Sequence, residues 1–281
     1  MGKVIQLQDK HKKSIERYLS ISPLENLKIL FILKYGDIKT FSAYLDNGKW
    51  KGVINYDWET FIYVTDNSAI EPLVNDVINK DIKNFRLTGR KETVDKFWNI
   101  YSKKMNIDKV HLDRELIVQE LHKDYFDFSN NDYIKLEVAK EEDAIQVADL
   151  VAAMNKEEVG VDFYRSEKEK QEYRELVLNR IKNGMYYVYK ENNKVKFTIM
   201  VSFFTDYATQ IDEAYVIPEE RGKGIATKCI RYFCNLLLLN LAPRICGIAC
   251  ESNLPPLKYL KKLGFKPVFK LRSIYVNNEN S

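Results

Sequence analysis

Cysteine is scarce in this 281-residue chain, and its few copies lie in the C-terminal half, at Cys229, Cys234, Cys246 and Cys250. A small secreted domain held together by disulfides is therefore excluded. A zinc site is also not expected. Cys229 and Cys234 would point about 140° apart on a helix, and neither pair has the usual ligand spacing with a turn. We expect buried thiols and no metal.

Long apolar runs are missing as well. No stretch approaches the roughly 18 apolar residues that a membrane-spanning helix needs, and the first residues lack the apolar core of a signal peptide. These two absences predict a cytoplasmic protein without a membrane partner.

The chain has no basic arm. The net charge is +4, and it is spread evenly. Residues 1–130 carry 21 basic and 19 acidic side chains, and residues 131–281 carry 23 and 21. Nucleic-acid binders concentrate positive charge on one patch, so we do not expect a nucleic-acid partner. Composition and charge predict no particular oligomeric state.

The composition that is present, 45% hydrophobic and 30% charged, is typical of a globular protein. The length fits one large domain or two of about 140 residues. A cluster of turn-forming residues at 129–132 separates two patterned segments. We therefore predict an N-terminal domain at 1–128 and a C-terminal domain at 133–281.

Both segments mix helical and strand-like patterns. In the first, helices are predicted at 11–20, 24–35, 69–78 and 92–103, with strands at 41–45, 60–64 and 84–87. In the second, helices are predicted from 141 and at 167–182, 224–239 and 255–263, with strands at 134–138, 185–190, 195–205, 210–216, 245–250 and 266–276. The order indicates an α/β (α+β) protein with two related units, each a twisted mixed sheet flanked by helices.

The most informative stretch, residues 211–227, reads IDEAYVIPEERGKGIAT. A strand runs into a proline-bounded turn, then a glycine-rich turn, then a long amphipathic helix. The first N–H groups of a helix lack internal partners and favour an anion, and glycines let a ligand approach the backbone. This pattern indicates a pyrophosphate site. An ordinary tight turn before a helix would show a similar sequence pattern.

The spacing Arg221-x-x-Gly224-x-Ala226 resembles the acetyl-CoA-binding loop of the GNAT superfamily of N-acetyltransferases. A second element, Asn253 followed by a short helix and Gly264-Phe265, is similar to the closing pattern of that superfamily. The resemblance covers roughly residues 133–276 and implies acetyl-CoA as cosubstrate. Residues 1–128 resemble the degenerate first unit of tandem GNAT proteins.

The resemblance implies cofactor-binding roles for two residues at the end of the strand, seven residues from the loop into the helix, and one separate asparagine. The set comprises Tyr215, Val216, Arg221, Gly222, Lys223, Gly224, Ile225, Ala226, Thr227 and Asn253. Backbone N–H groups near Tyr215 and Val216 would polarise the thioester carbonyl. Asn253 could instead be a simple helix cap.

Amine acetylation also needs a base, because an ammonium with a pKa near 10 must lose a proton. Glu213 is the first candidate and Asp212 the second, since the position eleven residues before Arg221, often glutamate in the superfamily, is Gln210. The usual tyrosine position, four residues before Gly264, holds leucine. Tyr259, one residue earlier, is a candidate acid if the helix is shifted; otherwise water or another tyrosine would protonate the thiolate.

The first unit lacks the phosphate-binding pattern. After its strand at 60–64, Ser68 and Glu71 form a possible capping box that would occupy the helix N–H groups. We therefore expect no CoA site there.

The sequence as a whole predicts an acetyl-CoA-dependent N-acetyltransferase that moves acetyl directly to a primary amine in a ternary complex. A non-catalytic CoA-binding sensor is the alternative. The acceptor, a small molecule or a peptide, is not identified. Glu157, Glu158 and Asp162 hint that it is cationic.

Overall fold

The structure, a computed structural model, describes residues 2–56, 59–82, 84–107, 110–160, 162 and 164–277. It divides into two compact units. The first comprises Met1–Val118, Ala249–Glu251 and Pro267–Ser281, and the second comprises Gln119–Ile248 and Ser252–Lys266. Among the described residues, no helix combines the length and the apolar character needed to cross a bilayer.

The first unit contains strands β1 (Lys3–Gln6), β2 (Phe41–Asp46), β3 (Lys49–Asn55), β4 (Glu59–Val64) and β5 (Asn84–Arg90), and helices α1 (Lys12–Leu19), α2 (Leu27–Tyr35), α3 (Ile70–Asn79) and α4 (Lys91–Met105). Strand β6 (Leu112–His122) begins in this unit and ends in the second.

The second unit contains strands β7 (Glu137–Val138), β8 (Tyr186–Glu191), β9 (Lys194–Phe204), β10 (Thr209–Val216) and β11 (Arg244–Cys250), and helices α5 (Ala144–Val159), α6 (Glu167–Lys182), α7 (Ile225–Asn240) and α8 (Leu254–Lys262). The last strand, β12 (Lys266–Asn277), follows α8 in sequence but lies almost entirely in the first unit.

The sheet of the first unit is mixed. Strands β1 to β4 pair antiparallel in chain order, and β4 and β5 pair parallel through the crossover helix α3. Strand β12 then pairs antiparallel with β5, so that Ile274 lies opposite Leu87. Both side chains are fully buried, together with Phe97 of α4. The core of this unit therefore includes the C-terminal strand of the chain.

The second unit repeats this arrangement. Strands β7 to β10 pair antiparallel in chain order, and β10 and β11 pair parallel through the crossover helix α7. One face of the sheet packs against α7 and α8 through residues such as Phe197 and Phe233. The other face packs against α5 and α6 through residues such as Val151, Val177 and Tyr186.

The predicted α/β class with two mixed-sheet units is confirmed, and the helices agree with the predicted ranges to within a few residues. Strands β1, β3 and β6 were not predicted, because charged and polar side chains break up their apolar pattern. The strand predicted at 134–138 forms only at Glu137–Val138. Ile134 and Leu136 instead pack against the α7–α8 face as part of a loop.

The predicted domains at 1–128 and 133–281 are continuous along the chain, whereas the structural units are not. The difference arises because β12 pairs with β5. Strand pairing across a long sequence separation leaves no local signal in a hydrophobic pattern.

Replacing Ile274 with alanine should destabilise the first unit by about 2–5 kcal/mol, because the change leaves a cavity beside Leu87. All three tryptophans lie in residues 50–98, so urea unfolding followed by tryptophan fluorescence reports on this unit. Ile21→Ala, at a first-unit position that is 70% exposed, is the control and should change stability by less than about 0.5 kcal/mol. Equal midpoints for the two variants would contradict the role of β12.

Candidate active site

Strand β10 carries a bulge at its centre. Asp212 lies opposite Met200 and Tyr215 opposite Thr198, so two residues, Glu213 and Ala214, together face one residue of β9. Glu213 has φ +56°, in the left-handed region. A bulge bends its strand and redirects side chains, and bulges are frequent next to active sites.

Strands β10 and β11 pair only over a short stretch. The parallel ladder joins Thr209–Ile211 to Ile245–Gly247, and over the remaining described residues of both strands it is absent. Beyond Ile211, the edge of β10 that faces β11 is therefore open. Its backbone groups can accept an extended ligand there as a neighbouring strand would.

The direction of the backbone N–H groups follows from the pairing with β9. The Ile217 N–H donates to the Lys196 carbonyl at 3.1 Å. Because directions alternate along an antiparallel ladder, the Tyr215 N–H points toward β9 and the Val216 N–H points to the open edge. Of the two backbone donors predicted near the thioester, Val216 is thus the one on the open side.

The glycine-rich loop leads directly into α7. Gly222 and Gly224 both have φ +79° and are exposed, and a Cβ at either position would meet no atom within 4 Å. These glycines are therefore required by backbone conformation and not by lack of space. Gly224 is the N-cap residue of α7 and has no side chain with which to cap the helix. The N–H groups of Ile225, Ala226 and Thr227 thus lie at an uncapped helix start that suits an anion.

Arg221 is held against the α5 side of the loop. Its guanidinium donates to Glu157 at 2.9 Å and to the Val216 carbonyl at 3.1 Å, and it lies 4.9 Å from the ring centroid of Tyr215. The Tyr215 hydroxyl also donates to Glu157, at 2.6 Å. The side chains of Arg221 and Glu157 are 45% and 47% exposed. Exposed ion pairs contribute about 0–1 kcal/mol, so a phosphate could replace this carboxylate at small cost.

Lys223 is the second cation of the loop. It pairs with Glu220 at 2.8 Å, and Glu220 also pairs with Lys196 at 2.7 Å. The hydrogen bond from Lys196, followed by that from Lys223, lowers the pKa of Glu220 to about 2. Glu220 therefore remains charged at neutral pH and holds Lys223 beside the helix start.

Glu213, the first candidate base, lies between two donors. Arg180 of α6 donates to one carboxylate oxygen at 3.2 Å, and the Tyr186 hydroxyl donates to the other. Burial raises the pKa of Glu213, and the charge of Arg180 opposes this shift. Neither Arg180 nor Tyr186 was predicted from the sequence to contact the site.

Asp212, the second candidate base, has a different environment. Its carboxylate accepts hydrogen bonds from the Ser202 hydroxyl and from the Gln210 amide, the latter at 2.7 Å. Gln210 is the residue at the position that is often glutamate in the superfamily. Here it orients a neighbouring carboxylate.

Asn253 occupies the N-cap position of α8, but its side chain makes no capping hydrogen bond. The Asn253 amide instead donates to Glu158 of α5 at 2.9 Å. Burial is the main cause of the raised pKa of Tyr259, and the Glu158 charge adds to it. Leu260 is buried, and a Cβ at Gly247 would lie 3.1 Å from it. The usual tyrosine position is thus part of the core, whereas Tyr259 lies close enough to Glu158 to be affected by its charge.

The three acidic residues that hinted at a cationic acceptor all have partners in the described structure. Glu157 contacts Arg221 and Glu158 contacts Asn253, while Asp162 pairs with Lys156 at 3.0 Å. Glu157 and Glu158 therefore contact candidate cofactor-binding residues, which weakens their interpretation as acceptor-binding groups.

The corresponding turn of the first unit is closed by a carboxylate. Asp66 accepts a hydrogen bond from the Ser68 N–H at 3.0 Å and pairs with Lys51. These contacts, with Lys51 first, lower the pKa of Asp66 to about 2. The predicted capping box is wrong in its residues, because Glu71 instead pairs with Lys104 on α4. A charged carboxylate at this turn disfavours phosphate.

The cysteines are unpaired thiols, and Cys229, Cys234 and Cys246 are buried. Burial raises the pKa of Cys229 to about 12, which keeps this thiol protonated and unreactive. Within the described ranges, no three His, Cys, Asp or Glu side chains are grouped as metal ligands.

Comparison with known proteins identifies the family of this site. Residues 151–265 match the acetyltransferase (GNAT) family. The matched segment runs from α5 to the Gly264-Phe265 pair and contains the bulged strand, the glycine-rich loop and α7. This part of the chain is a GNAT domain, which confirms the resemblance drawn from the Arg221 motif. No curated protein matches the chain.

Several solved structures share the fold over nearly the whole chain. A tandem GNAT protein from the clavulanic acid biosynthesis pathway is 12% identical, with complete coverage of both chains and a TM-score of 0.60. A GCN5-related N-acetyltransferase from Sphaerobacter thermophilus is 10% identical, covers 98% of this chain and 95% of its own, and has a TM-score of 0.65. A Drosophila protein is 9% identical, with complete coverage of both chains and a TM-score of 0.71. These likenesses establish a shared fold.

Proposed function

We propose that the protein transfers acetyl from acetyl-CoA to a primary amine, directly within a ternary complex. The observation that carries the proposal is the uncapped start of α7, preceded by Gly222 and Gly224 and by a bulged strand with an open edge. Together these features form one continuous backbone surface. The uncapped helix start suits a pyrophosphate, and the open edge suits an extended amide chain.

The loop residues fit the cosubstrate. The N–H groups from Gly222 to Thr227 would hold the pyrophosphate, with Arg221 and Lys223 supplying positive charge. Val216 would bind the pantetheine chain along the open edge of β10, and Asn253 would contact it from the start of α8. Bound acetyl-CoA supplies the activated acetyl group as a thioester.

Asp212 is the better candidate for the base. Two neutral groups, the Ser202 hydroxyl and the Gln210 amide, donate hydrogen bonds to its carboxylate. Glu213 is instead paired with Arg180, whose charge repels an ammonium and disfavours protonation of the carboxylate. We therefore assign proton removal to Asp212.

Tyr259 is the candidate proton donor to the departing thiolate. Burial raises its pKa, so the hydroxyl holds its proton at neutral pH. No cysteine or serine stands in a recognisable nucleophile motif, and the chemistry therefore proceeds without an acyl-enzyme.

A non-catalytic acetyl-CoA-binding protein is the second candidate function. The burial of Leu260 against Gly247 favours it, because the usual proton-donor position is part of the core. The two candidates share the cofactor site and differ only in turnover. Release of CoA with any member of a panel of amines would exclude the binding protein.

Calorimetric titration with acetyl-CoA tests the cofactor site. The wild type should bind at micromolar concentrations, and the double variant Arg221→Glu, Gly224→Asp should lose binding, because it places two carboxylates where the phosphates lie. Lys168→Glu, a charge reversal at an exposed position on α6, is the control and should bind like the wild type. Absence of binding by the wild type would refute the proposed cofactor site.

Asp212→Asn should lower kcat by about 100- to 10,000-fold, the range expected for loss of a general base. Affinity for acetyl-CoA should stay within about threefold, since Asp212 is not part of the loop. Steady-state kinetics measures kcat, and calorimetric titration measures the affinity. Asp127→Asn, which alters an exposed carboxylate bonded to Ser129, should leave kcat unchanged. Full activity of Asp212→Asn would exclude it as the base.

Glu157→Gln should strengthen acetyl-CoA binding by up to about fivefold at low salt, because it frees Arg221 from a competing carboxylate. The gain should shrink at high salt, where exposed charges are screened. Calorimetry at two salt concentrations measures it, with Glu172→Gln on α6 as the control. Weaker binding by Glu157→Gln would show that Glu157 positions Arg221 for the ligand and does not compete with it.

A further inference from the structure

Glu213 adopts a backbone conformation that is unusual for its residue type. Among the described residues, the other non-glycine positions with positive φ are asparagine or aspartate, at Asn47, Asp81, Asn106, Asn192 and Asn193. These five lie in turns or at helix ends. Glu213 lies within a strand instead. The left-handed region is unfavourable for a residue with a Cβ, so surrounding contacts must hold it there.

Two donors from separate elements supply those contacts. Arg180 projects from α6 and donates to Oε1 of Glu213 at 3.2 Å, while the Tyr186 hydroxyl on β8 donates to Oε2. Tyr186 is fully buried, and the side chains of Arg180 and Glu213 are 31% and 18% exposed. Because α6 and β8 both belong to the packed core of the second unit, they fix the position of the carboxylate.

The carboxylate is attached to the bulge of β10. Ala214 and Tyr215 follow Glu213 in the strand. The N–H of Val216, three residues after Glu213, lies on the open edge. A change in the φ and ψ angles of Glu213 would rotate this whole segment relative to the ligand edge. The register of Tyr215 and Val216 with β9 therefore depends on the conformation at Glu213.

We propose that Arg180 and Tyr186 clamp the bulge of β10 through Glu213, and so aim the backbone N–H of Val216 at the acetyl carbonyl. Arg180 is then a positioning residue, since it acts through Glu213 and the strand. This inference rests on the proposed function, because it takes the open edge of β10 to be the acetyl-CoA site. It adds a role for α6, which contributes none of the predicted site residues.

The clamp and a catalytic base at Glu213 predict different results for two substitutions at this position. Both Glu213→Ala and Glu213→Gly remove the carboxylate, but only glycine adopts positive φ readily. If Glu213 acts through backbone conformation, glycine preserves function better than alanine. If Glu213 acts as a base, the two variants lose the same activity.

The experiment compares affinity for acetyl-CoA with affinity for CoA by calorimetry, and measures kcat with the best amine of the panel. Glu213→Ala and Arg180→Met should each lose about fivefold or more of the acetyl preference and of kcat, with CoA affinity retained. Glu213→Gly should stay within about twofold of the wild type. Arg180→Met should have no further effect in the Glu213→Gly background, and Arg180→Lys should restore part of the loss.

Thermal unfolding verifies that each variant folds. Should Arg180→Met not fold, Tyr186→Phe removes only one hydroxyl and should give a smaller loss in the same direction. The clamp is refuted if Glu213→Ala and Glu213→Gly lose acetyl preference and kcat equally, or if Arg180→Met and Tyr186→Phe leave both unchanged. Failure of the proposed function looks different, because the wild type would then bind neither acetyl-CoA nor CoA, or would bind both and release no CoA with any amine of the panel.

Discussion

An uncapped helix start leaves backbone N–H groups that need an acceptor, and the candidate site is organised around one. At α7 the chain reaches this point through Gly222 and Gly224, which turn the backbone without adding a side chain. The first unit has the same β-α-β arrangement at α3, but Asp66 occupies the turn with a charged carboxylate. Two units of similar topology therefore differ in their suitability for an anion through a few residues at one turn.

The open edge of β10 complements the helix start. Pairing with β11 stops at Ile211, and the bulge at Glu213 follows within two residues. The backbone after the bulge is thus free on the side that faces β11, while β9 supports the other side. The polar side chains of Asp212, Glu213 and Tyr215 contact Ser202, Arg180 and Glu157 respectively. Under the proposed function, the backbone groups would hold the cosubstrate and Asp212 would take the proton of the acceptor.

The elements around the candidate site were predicted because their signals are local, while the roles of the individual residues stay predictions. The Arg221 loop, its glycines and the long helix after it follow one another in the chain, and the structure places them as predicted. Strands β1, β3 and β6 were not predicted, since a charged strand has no clear apolar alternation. The pairing of β12 with β5 joins residues far apart in sequence, which a local pattern does not encode.

The partners of the acidic residues were also not predicted, for a related reason. Arg180 donates a hydrogen bond to Glu213, and Arg221 donates one to Glu157. Each bond joins two different elements, so it depends on tertiary packing. A weak signal for Arg180 was present, because it lies three residues after Val177 and next to Ile181 on the buried stripe of α6. A charged residue on an apolar stripe requires a buried partner.

The central claim is that the second unit alone binds acetyl-CoA, at the start of α7. The most direct test is an amide ¹H–¹⁵N correlation spectrum of the assigned protein, recorded with and without acetyl-CoA. Binding at the start of α7 predicts large amide chemical-shift changes for Val216, Gly222 and Gly224 to Thr227, and none for Ser68 and Ala69 in the first unit. Shifts at the α3 turn, with none at the α7 loop, would contradict it.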